Sequence, residues 1–476
     1  MKVTIAPWVP GGSIPAIPSK SCVHRLLICM ALGDRPSSLT CDLISDDMTA
    51  TARCLSALGA KSSVGDGVIS ISPVAPVAGP VVLDPGESGS TYRFLAPVAS
   101  ALGRDATFAL HGRLPSRPME ALWSQMELHG VTVSGKGTAS PRLEGRLTPG
   151  TFRLPGDLSS QFFSGLMFAL PTLDGDSRIV TEGKLESAGY VQMTIDALES
   201  FGVRVIRDGN DFVVPGNQRY VVPDGLTAEG DWSNSAFWLC AAAARGSVEV
   251  SGLRVRTSQG DSAVLELLRR FGAEVAVDGD RVRVTSRPLR GITASVGDTP
   301  DLVPALAVAA AAADGVTRFT DAGRLRLKES DRIASVCGAL SSLGCDVESD
   351  ADSITVRGGK RLSGGVVDSC GDHRIAMLGS VLSCLCDGPV TVVGAGAVAK
   401  SYPRFYEDFE RLRASVMKDP AATDATAAGE LEKGATSGDS TTKTGGAAGD
   451  KASAIFGTPG SVGMATRGAA GKEVSA

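Results

Sequence analysis

The stretch LLRRFGAEVAVDGDRVRVTS, residues 267–286, predicts the end of a helix, a turn at Gly272 and a pair of short strands around a second turn. The same order of hydrophobic helix end, glycine and strand recurs in LSALGAK, MELHGVTV, LESFGVRV and LSSLGCDV. The five marker glycines are spaced 71, 72, 70 and 72 residues apart and are Gly59, Gly130, Gly202, Gly272 and Gly344. Glycine suits a helix end that needs positive φ, and five copies at one period indicate a repeat protein.

Each repeat also contains a helix that is apolar nearly all round. Examples are QFFSGLMFALPTL from Gln161, SAFWLCAAAA from Ser235, LVPALAVAAAAA from Leu302 and RIAMLGSVLSCL from Arg374. A helix without a polar face is expected to be buried. Each unit is therefore predicted to hold a strand, a buried helix, a strand, an amphipathic helix and a hairpin. Six such units of about 71 residues predict a two-lobed inside-out α/β fold, with three βαβαββ-like units in each lobe.

The repeat also predicts the domain boundaries. We expect an N-terminal lobe over residues 14–225 and a C-terminal lobe over residues 226–418, completed by residues 1–13. The strand Met1–Ile5 would complete the truncated sixth repeat, and the chain would cross between lobes near Gly11–Ser13 and near Asp224–Thr227. After Lys418 the composition shifts to Ala, Gly, Thr and Ser, which predicts that residues 419–476 form a disordered low-complexity tail.

Composition excludes several classes of protein. The chain has 476 residues, 43% of them hydrophobic, and a formal charge of −5, so it offers no basic excess for nucleic acid. None of its ten cysteines forms a CxxC pair, and most have apolar neighbours, as in proteins of a reducing compartment. The four histidines show no metal-ligand spacing. With no signal peptide and no apolar run of roughly 18 residues, we expect a cytoplasmic protein without a membrane partner.

Polar clusters precede the buried helices at one phase of the repeat. They are Ser19-Lys20-Ser21 with Arg25, Glu87–Ser90 with Arg93, Ser159-Ser160-Gln161, Asp231-Trp232-Ser233, Asp298–Asp301 and Asp372-His373-Arg374. A second set begins the amphipathic helices, at Asp46-Asp47, Arg117, Ser187, Lys328–Arg332 and Lys400. Taken singly, each cluster is more simply explained as a helix cap or an ion pair. Their repetition at one phase predicts a single cleft that binds phosphate and carboxylate groups.

The stretch LRLKESDRI, residues 325–333, places four charges in five residues. Apolar residues follow it at helical spacing, which predicts that the charges form the first turn of an amphipathic helix. Acids suit that end of a helix, whereas Lys328 and Arg332 do not. Cations held there beside Glu329 indicate an anion site with a proton donor or acceptor next to it.

Ten motifs stand in the order of one family. They are SKSCVHR, ESGSTYRF, RLPSRPME, LPGDLSSQFFS, ESAGYVQMT, EGDWSNSAFWL, DTPDLVPALAV, LRLKESDRI, DHRIAM and VAKSYP. Through them, about residues 1–412 resemble the 5-enolpyruvylshikimate-3-phosphate synthases, which are enolpyruvyl transferases. Ten motifs in order are far more specific than any single one.

The resemblance implies an enzyme, a 3-phosphoshikimate 1-carboxyvinyltransferase. It would transfer the enolpyruvyl group of phosphoenolpyruvate to the 5-hydroxyl of shikimate 3-phosphate, through a tetrahedral intermediate that then loses phosphate. The reaction belongs to the shikimate pathway, which leads to chorismate and the aromatic amino acids. The resemblance implies two small-molecule substrates and neither a metal nor an organic cofactor, and we expect a monomer.

Residue by residue, the resemblance implies catalytic roles for Lys20, Asp301 and Glu329. Asp301 would be the base near the 5-hydroxyl, Glu329 would protonate the methylene of phosphoenolpyruvate and later take the proton back, and Lys20 would help to move protons. The implied ligands of shikimate 3-phosphate are Lys20, Ser21, Arg25, Ser159, Ser160, Gln161, Ser187, Asp301 and Lys328. Those of phosphoenolpyruvate are Lys20, Gly89, Arg117, Gln161, Arg332, Arg374 and Lys400. Burial would raise the pKa of Asp301 and Glu329 and nearby cations would lower it, and the sequence leaves both outcomes open.

Several positions depart from the commonest family pattern. Glu87 and Arg324 each stand where Asn is frequent, Val23-His24 where Ser-Asn is frequent, Ala188-Gly189 where Lys-Pro is frequent, and Ala397 where Cys is frequent. Glu87 would repel an anionic substrate unless Arg93 or another cation neutralises it. In this family glyphosate binds in place of phosphoenolpyruvate, and we expect inhibition here because Gly89 leaves room for it.

Three alternative functions fit parts of the sequence less well. UDP-N-acetylglucosamine enolpyruvyl transferase shares the fold and one substrate but uses a Cys on a mobile loop, whereas Arg113–Met119 contains none. RNA 3′-phosphate cyclase shares part of the fold but needs a nucleic-acid face, against which the acidic balance argues. A non-catalytic repeat scaffold would not need to retain the charged set Lys20, Asp301, Glu329, Arg332, Arg374 and Lys400.

Overall fold

The computed structural model describes residues 1–418, with side chains described through residue 413. Its helices are α1 (Lys20–Ala31), α2 (Asp46–Ala57), α3 (Gly89–Ala101), α4 (Glu120–Leu128), α5 (Ser160–Ala169), α6 (Ala188–Ser200), α7 (Trp232–Ala244), α8 (Val264–Phe271), α9 (Val303–Ala312), α10 (Arg332–Ser342), α11 (His373–Leu382) and α12 (Phe405–Lys418). Short 3₁₀ turns lie at Leu114–Ser116, Leu170–Thr172, Gly260–Ala263, Pro300–Leu302, Gly323–Leu327, Ser383–Leu385 and Ala395–Lys400. Within residues 1–418, no helix is long and apolar enough to cross a membrane.

The strands of the described residues are short. They are β1 (Lys2–Ile5), β2 (Gly11–Pro15), β3 (Ser37–Thr40), β4 (Ser62–Gly65), β5 (Val68–Ile71), β6 (Val81–Gly86), β7 (Ala106–Leu110), β8 (Val131–Ser134), β9 (Arg142–Gly145), β10 (Thr151–Pro155), β11 (Ser177–Glu182), β12 (Ile206–Asp208), β13 (Asp211–Val214), β14 (Ser247–Ser251), β15 (Glu274–Asp278), β16 (Arg281–Thr285), β17 (Thr293–Ser295), β18 (Val316–Thr320), β19 (Asp346–Ser349), β20 (Ile354–Arg357), β21 (Gly365–Asp368) and β22 (Val390–Val393).

One unit of the repeat runs from β10 through α5, β11, α6 and β12 to β13. Its first two strands, β10 and β11, pair in parallel, and the hairpin adds β13 and then β12 antiparallel, giving the order β10-β11-β13-β12. The same order recurs in β6-β7-β9-β8, β2-β14-β16-β15 and β17-β18-β20-β19. The predicted α/β fold of βαβαββ units is confirmed.

Three sheets receive segments from distant parts of the chain. β1 pairs antiparallel with β22, as predicted for a first strand that completes the last repeat. β2 pairs in parallel with β14, so residues 11–15 supply the first strand of the fourth unit. Thr227 bridges Thr40 in parallel, which puts it at the edge of the sheet β3-β5-β4.

The chain passes between the two cores at residues 18–22 and 223–231, and the two segments are hydrogen-bonded to each other. Ser19 N–H donates to the carbonyl of Glu229 at 2.7 Å, and Asp231 N–H donates to the carbonyl of Ile17 at 2.8 Å. Gly11–Pro15 belongs to a sheet of the second half, and the expected crossings near Gly11–Ser13 and Asp224–Thr227 stay predictions.

The apolar side chains form two cores. One holds residues between 23 and 222, and the other holds residues between 5 and 17 together with residues between 232 and 412. The domain boundaries at 13/14 and 225/226 stay a prediction. Because Ile14 and Ile17 pack in the second core, we propose to move the first boundary to residues 18–22. The predicted tail, residues 419–476, lies outside the described residues.

Glycines end several helices, and the apolar helices pack closely against one another. All five marker glycines have positive φ, between 74° and 112°, as a helix C-terminus requires. The helix α9 is buried from Val303 to Ala311 and contacts α7 and α11. In the other core α3 and α5 pack so closely that a Cβ on Gly165 would overlap the carbonyl oxygen of Arg93. These contacts fix the helix N-termini against one another.

The helix α10 begins later than the charge pattern suggested. Residues Gly323–Leu327 form a 3₁₀ turn, Lys328 is extended at φ −86° and ψ −163°, and the helix starts at Arg332. Asp331 caps it by accepting a hydrogen bond from Ala334 N–H at 3.1 Å. The prediction that Lys328 and Glu329 lie in the first helical turn is therefore wrong, because the extended backbone at Lys328 separates the 3₁₀ turn from the helix. Both side chains still reach the cleft.

Candidate active site

A cavity of about 910 Å³, partly open to solvent, lies between the two cores. The N-termini of α1, α5, α10 and α11 contribute residues to its wall. Thirteen of the fifteen predicted site residues line it: Lys20, Ser21, Arg25, Arg117, Ser159, Ser160, Gln161, Ser187, Asp301, Lys328, Glu329, Arg332 and Arg374. The predicted cleft thus brings together residues from opposite halves of the sequence.

Arg332 connects three carboxylates at the floor of the cleft. Its guanidinium, 1% exposed, donates to Asp301 at 2.6 Å, to Glu329 at 2.7 Å and to the buried Asp372 at 2.8 Å. The Asp372 carboxylate also accepts hydrogen bonds from the Ser330 hydroxyl at 3.1 Å and from the backbone N–H of Arg374 at 2.9 Å. The two carboxylates for which the resemblance implies proton transfer therefore share one fixed cation.

Nearby cations outweigh burial at both of these carboxylates. Burial raises the pKa of Asp301, but Lys328 at 3.2 Å, Arg374 and Arg332 together hold it well below its usual value. Burial likewise raises the pKa of Glu329, but Arg332 and Arg117, the latter at 3.6 Å, hold it well below its usual value. Both side chains are ionised at neutral pH in this structure, which answers the question that the sequence left open.

At Lys328 and His373, by contrast, burial outweighs the nearby carboxylates and lowers the pKa of each side chain. Burial lowers the pKa of the Lys328 ammonium to about 8. Arg324 and Arg332 also lower this pKa, whereas Asp301 raises it. Burial, with the nearby Lys20, lowers the pKa of His373 to about 3, so its ring is neutral. Within residues 1–413 neither ring nitrogen of His373 has a hydrogen-bond partner, although the ring lines the cleft. A buried neutral ring with two unused nitrogens can receive or donate a hydrogen bond to a bound ligand.

Lys20 lies at the first position of α1, after the capping residue Ser19. Its ammonium contacts the Asp47 carboxylate at 2.7 Å, and its backbone N–H donates to Asp231 at 3.1 Å. The lysine is thus aimed at the cleft by one acid at the start of α2 and one at the start of α7.

Gln161 joins the starts of two buried helices. Its amide oxygen accepts from Arg93 at 2.8 Å, and its amide nitrogen donates to the Ser90 hydroxyl at 2.9 Å. Gly89, the first residue of α3, does not itself line the cavity, but a Cβ on it would lie 2.6 Å from Nη1 of Arg117. Gly89 therefore leaves space that the Arg117 guanidinium occupies.

A group of serine hydroxyls forms another part of the cleft wall. Ser159 caps α5 and leaves Ser160 at its first turn, where N–H groups favour anions. Ser187 has a left-handed backbone, φ 55°, and its N–H donates to Asp298 at 3.0 Å. Arg324 donates to the Ser187 hydroxyl at 2.9 Å and pairs with Glu186 at 3.3 Å. Arg324, which replaces a frequent Asn, therefore adds a cation to this wall.

Arg25 is fixed by the protein from three sides. It donates to the carbonyls of Ser21 at 2.8 Å and Tyr190 at 2.7 Å and to the Thr194 hydroxyl at 2.9 Å. Burial lowers its pKa to about 10, and no carboxylate pairs with it among the described ion pairs. A guanidinium held by neutral acceptors keeps its charge available for an anion in the cleft.

Lys400 stands apart from the other predicted residues. Its ammonium pairs with Glu87 and donates to the carbonyl of Gly371 at 2.9 Å, and both side chains line a neighbouring cavity of about 820 Å³. The cation that neutralises Glu87 is thus Lys400, whereas Arg93 contacts Gln161 instead. The side chain of Asp47, which binds Lys20, also lines this second cavity.

The structure adds residues that the predicted site omitted. They include Asp47, Arg93, Asp372 and His373, which belong to polar clusters that the sequence alone explains as helix caps or ion pairs. Tyr190 lines the cleft and was not singled out, although it follows Ser187 by one helical turn in the motif ESAGYVQMT. Its hydroxyl lies 3.3 Å from both Asp261 and Asp301. In the described residues, no group of three or more His, Cys, Asp or Glu is arranged to hold a metal ion.

Comparisons with known proteins agree with this geometry. The family model for EPSP synthase (3-phosphoshikimate 1-carboxyvinyltransferase) matches residues 11–409. The curated 3-phosphoshikimate 1-carboxyvinyltransferases of Clostridium kluyveri and Clostridium novyi are 39% and 36% identical; each alignment covers 86% of this chain and 97% of the relative.

Solved structures give the same result. The 2.37 Å structure of EPSP synthase from Acinetobacter baumannii superposes with a TM-score of 0.72 at 27% identity, over 87% of this chain and 98% of that one. The enolpyruvyl transferase NikO from Streptomyces tendae, 19% identical, shares the fold with a TM-score of 0.69 over 86% of this chain and 96% of its own. The chain belongs to the EPSP synthase (3-phosphoshikimate 1-carboxyvinyltransferase) family.

Proposed function

We propose that the cleft carries out its family's reaction, the transfer of the enolpyruvyl group of phosphoenolpyruvate to the 5-hydroxyl of shikimate 3-phosphate, with the residues named below. One observation carries the assignment. Asp301 and Glu329 contact the same buried guanidinium at 2.6 and 2.7 Å, in a cleft lined by further cations and helix N-termini. Two acid–base groups in a fixed relation, surrounded by anion-binding groups, suit a reaction between two anionic substrates.

Asp301 is the base in this proposal. Its carboxylate is ionised and would accept the proton of the 5-hydroxyl as that oxygen bonds to C2 of phosphoenolpyruvate. Lys328 lies 3.2 Å from the same carboxylate and would bind the shikimate moiety. The substrate's negative charges would weaken the pull of Lys328 and Arg374 on Asp301, raising its proton affinity at the moment it is needed.

Glu329 supplies the proton for C3 of phosphoenolpyruvate and removes one when phosphate leaves. In the structure it is held ionised by Arg332 and Arg117, so it must gain a proton before the addition step. The phosphate and carboxylate of phosphoenolpyruvate would compete for these guanidinium groups and raise the pKa of Glu329. Binding of the second substrate therefore prepares the acid.

The other residues of the cleft are divided between the two substrates. Shikimate 3-phosphate would lie against Ser21, Arg25, Ser159, Ser160, Gln161, Ser187 and Lys328, and phosphoenolpyruvate against Gly89, Arg117, Gln161, Arg332 and Arg374. Lys20 also lines the cleft and would contact both substrates. Lys400 can join the phosphoenolpyruvate group only by releasing Glu87, which a closure of the cleft on binding would favour.

We also infer that the enzyme works in the cytoplasm as a monomer. All ten cysteines are free thiols in the described structure, which supports a reducing compartment. Sedimentation at several protein concentrations tests the monomer: a concentration-dependent increase in mass would contradict it.

The direct test is phosphate release from phosphoenolpyruvate. Shikimate 3-phosphate and UDP-N-acetylglucosamine are offered in separate reactions to the wild type, Asp301→Asn and Glu329→Gln. We expect release with shikimate 3-phosphate alone and a loss of about 100-fold or more in each variant. Release with the sugar nucleotide alone, or equal rates in wild type and variants, would contradict the proposal.

A further inference from the structure

A buried carboxylate that does not line the cleft is connected to the proposed base through one hydroxyl. Asp261 lies in the 3₁₀ turn Gly260–Ala263 and is 1% exposed. Its Oδ2 accepts hydrogen bonds from the Ser233 hydroxyl and from the Tyr190 hydroxyl, the latter at 3.3 Å. Its Oδ1 is buried and has no hydrogen-bond partner among the described residues.

The Tyr190 hydroxyl is shared by two acids. It lies 3.3 Å from Oδ2 of Asp261 and 3.3 Å from Oδ2 of Asp301. A phenol has one hydrogen and can donate to only one of them at a time. Burial and the charges of Asp261 and Asp301 raise the pKa of Tyr190 well above its usual value, so this hydrogen stays on the ring oxygen.

We propose that Asp261 is a positioning residue that sets the basicity of Asp301 by determining to which of the two carboxylates Tyr190 donates. This rests on the proposed role of Asp301 as the base. When Asp261 is ionised, it draws the phenolic hydrogen and leaves Oδ2 of Asp301 free. When Asp261 is protonated, Tyr190 donates to Asp301 and stabilises its ionised form, which makes Asp301 a weaker base.

The same arrangement accommodates the proton that Asp301 receives. As the 5-oxygen bonds to C2 of phosphoenolpyruvate, its O–H bond breaks and a new O–H bond forms on Asp301. That hydroxyl can donate to Tyr190 Oη, whose own hydrogen points to the ionised Asp261. No proton leaves Tyr190 or Asp261; only the hydrogen-bond directions change, and the resulting chain stabilises protonated Asp301.

Asp261 can change its charge near neutral pH. Burial and the neighbouring Asp301 raise its pKa to about 6, with Asp231 adding to the effect. Arg374 and the Ser233 hydroxyl, which also face it, oppose that rise. As the pH falls through about 6, Asp261 gains a proton, and the proposal predicts that kcat falls over the same range.

The first test measures kcat against pH for the wild type, Asp261→Asn and Tyr190→Phe. Asn keeps an oxygen that accepts from Tyr190 but carries no charge. For Asp261→Asn we expect the plateau kcat to fall about tenfold, which corresponds to a change of one unit in the pKa of Asp301. The fall of kcat below about pH 6, the acidic limb of the profile, should disappear. KM should change less than about twofold. Tyr190→Phe should remove the same limb, and the double variant should be no slower than the slower single variant.

Tyr402→Phe serves as the matched control. Tyr402 also donates to a buried carboxylate, Asp408 at 2.9 Å, but lies outside the cleft, so the acidic limb should persist. The proposal is overturned if the kcat of Asp261→Asn still falls below about pH 6 as in the wild type. It is also overturned if the reductions in kcat caused by Asp261→Asn and by Tyr190→Phe multiply in the double variant.

A second test does not depend on activity. Infrared difference spectra of the wild type minus Asp261→Asn should show a protonated carboxyl band that grows as the pH falls through about 6. If the wild type releases no phosphate but this band titrates, the proposed reaction fails while the ionisation of Asp261 stands. Absence of the band in an active wild type overturns the inference about Asp261 alone.

Discussion

Single residues gain their properties in this cleft from partners that lie far away in the sequence. Arg332 binds Asp301 and Glu329 from its own unit of the repeat and Asp372 from the next unit. Removing one member of such a buried network leaves the others without their partner, at a cost of about 3–5 kcal/mol. The ion pair between Glu87 and Lys400 is different, because Glu87 is 41% exposed and solvent screens it.

That difference leads to a prediction for Glu87→Gln. The neutral amide cannot hold the Lys400 ammonium as strongly, so the lysine becomes available to phosphoenolpyruvate. We expect KM for phosphoenolpyruvate to fall about threefold, as for the loss of a partly exposed ion pair, and kcat to change little. Initial-rate kinetics measure this, with Glu120→Gln as a control, because Glu120 pairs with Lys136 away from the cleft. A higher KM would mean that Glu87 positions Lys400 for the substrate instead of competing with it.

Among the elements, the N-termini of the buried helices set the shape of the cleft. Ser19, Ser88, Ser159, Asp231 and Asp372 all cap their helices with a side-chain hydrogen bond. The fifth unit departs from this, since α9 follows the 3₁₀ turn Pro300–Leu302 and no side chain caps that turn. Asp298 instead accepts a hydrogen bond from the backbone N–H of Ser187, which connects the start of α6 to the segment that precedes Asp301.

The start of α3 carries a prediction for Gly89→Ala. The added Cβ would lie 2.6 Å from Arg117 Nη1 and 2.9 Å from Arg93 Nη1, so both guanidinium groups must move. We expect KM for phosphoenolpyruvate and the inhibition constant of competing glyphosate each to rise at least about tenfold, the effect of about 1.4 kcal/mol in binding. Gly338→Ala on α10, where a Cβ meets open space, is the control and should leave both constants unchanged. Glyphosate inhibition that does not compete with phosphoenolpyruvate would contradict this placement of Gly89.

For the whole molecule, the described chain forms two cores that share one cleft, and the first two strands, β1 and β2, join sheets of the second core. The glycine period and the apolar helices predicted the units, because both depend on neighbours within one repeat. The pairing of Lys400 with Glu87 and the link from Asp261 through Tyr190 to Asp301 could not be predicted, because they join different units and depend on side-chain geometry. The start of α10 was misplaced for a local reason: charge spacing does not reveal the extended backbone at Lys328.

Burial of a histidine predicts how the stability of the molecule depends on pH. His24 is buried, and burial lowers its pKa well below the usual value. Its contribution to stability is therefore complete above the unfolded pKa of about 6.5 and is lost as the pH falls below it, because only the unfolded chain then binds the proton. Urea unfolding at several pH values should show that His24→Gln flattens this dependence by about 1.4 kcal/mol per pH unit between pH 6 and 5.

The control for this measurement is Thr51→Val, which removes the hydrogen bond to His24 but keeps the histidine, so the slope should stay as in the wild type. The comparison uses slopes rather than absolute stabilities, since His24→Gln also loses the hydrogen bond to Thr51. Equal slopes in the wild type and His24→Gln would show that His24 is protonated in the folded protein.

In the proposed reaction, Glu329 adds a proton to C3 of phosphoenolpyruvate and then removes one. The most direct measurement follows the reaction with shikimate 3-phosphate in D₂O by nuclear magnetic resonance. We predict that the wild type forms the enolpyruvyl ether with deuterium in its methylene group, because the transient methyl group carries one solvent-derived hydrogen. Glu329→Gln should slow product formation and deuterium incorporation together. Product without deuterium, or wild-type incorporation in Glu329→Gln, would contradict the account.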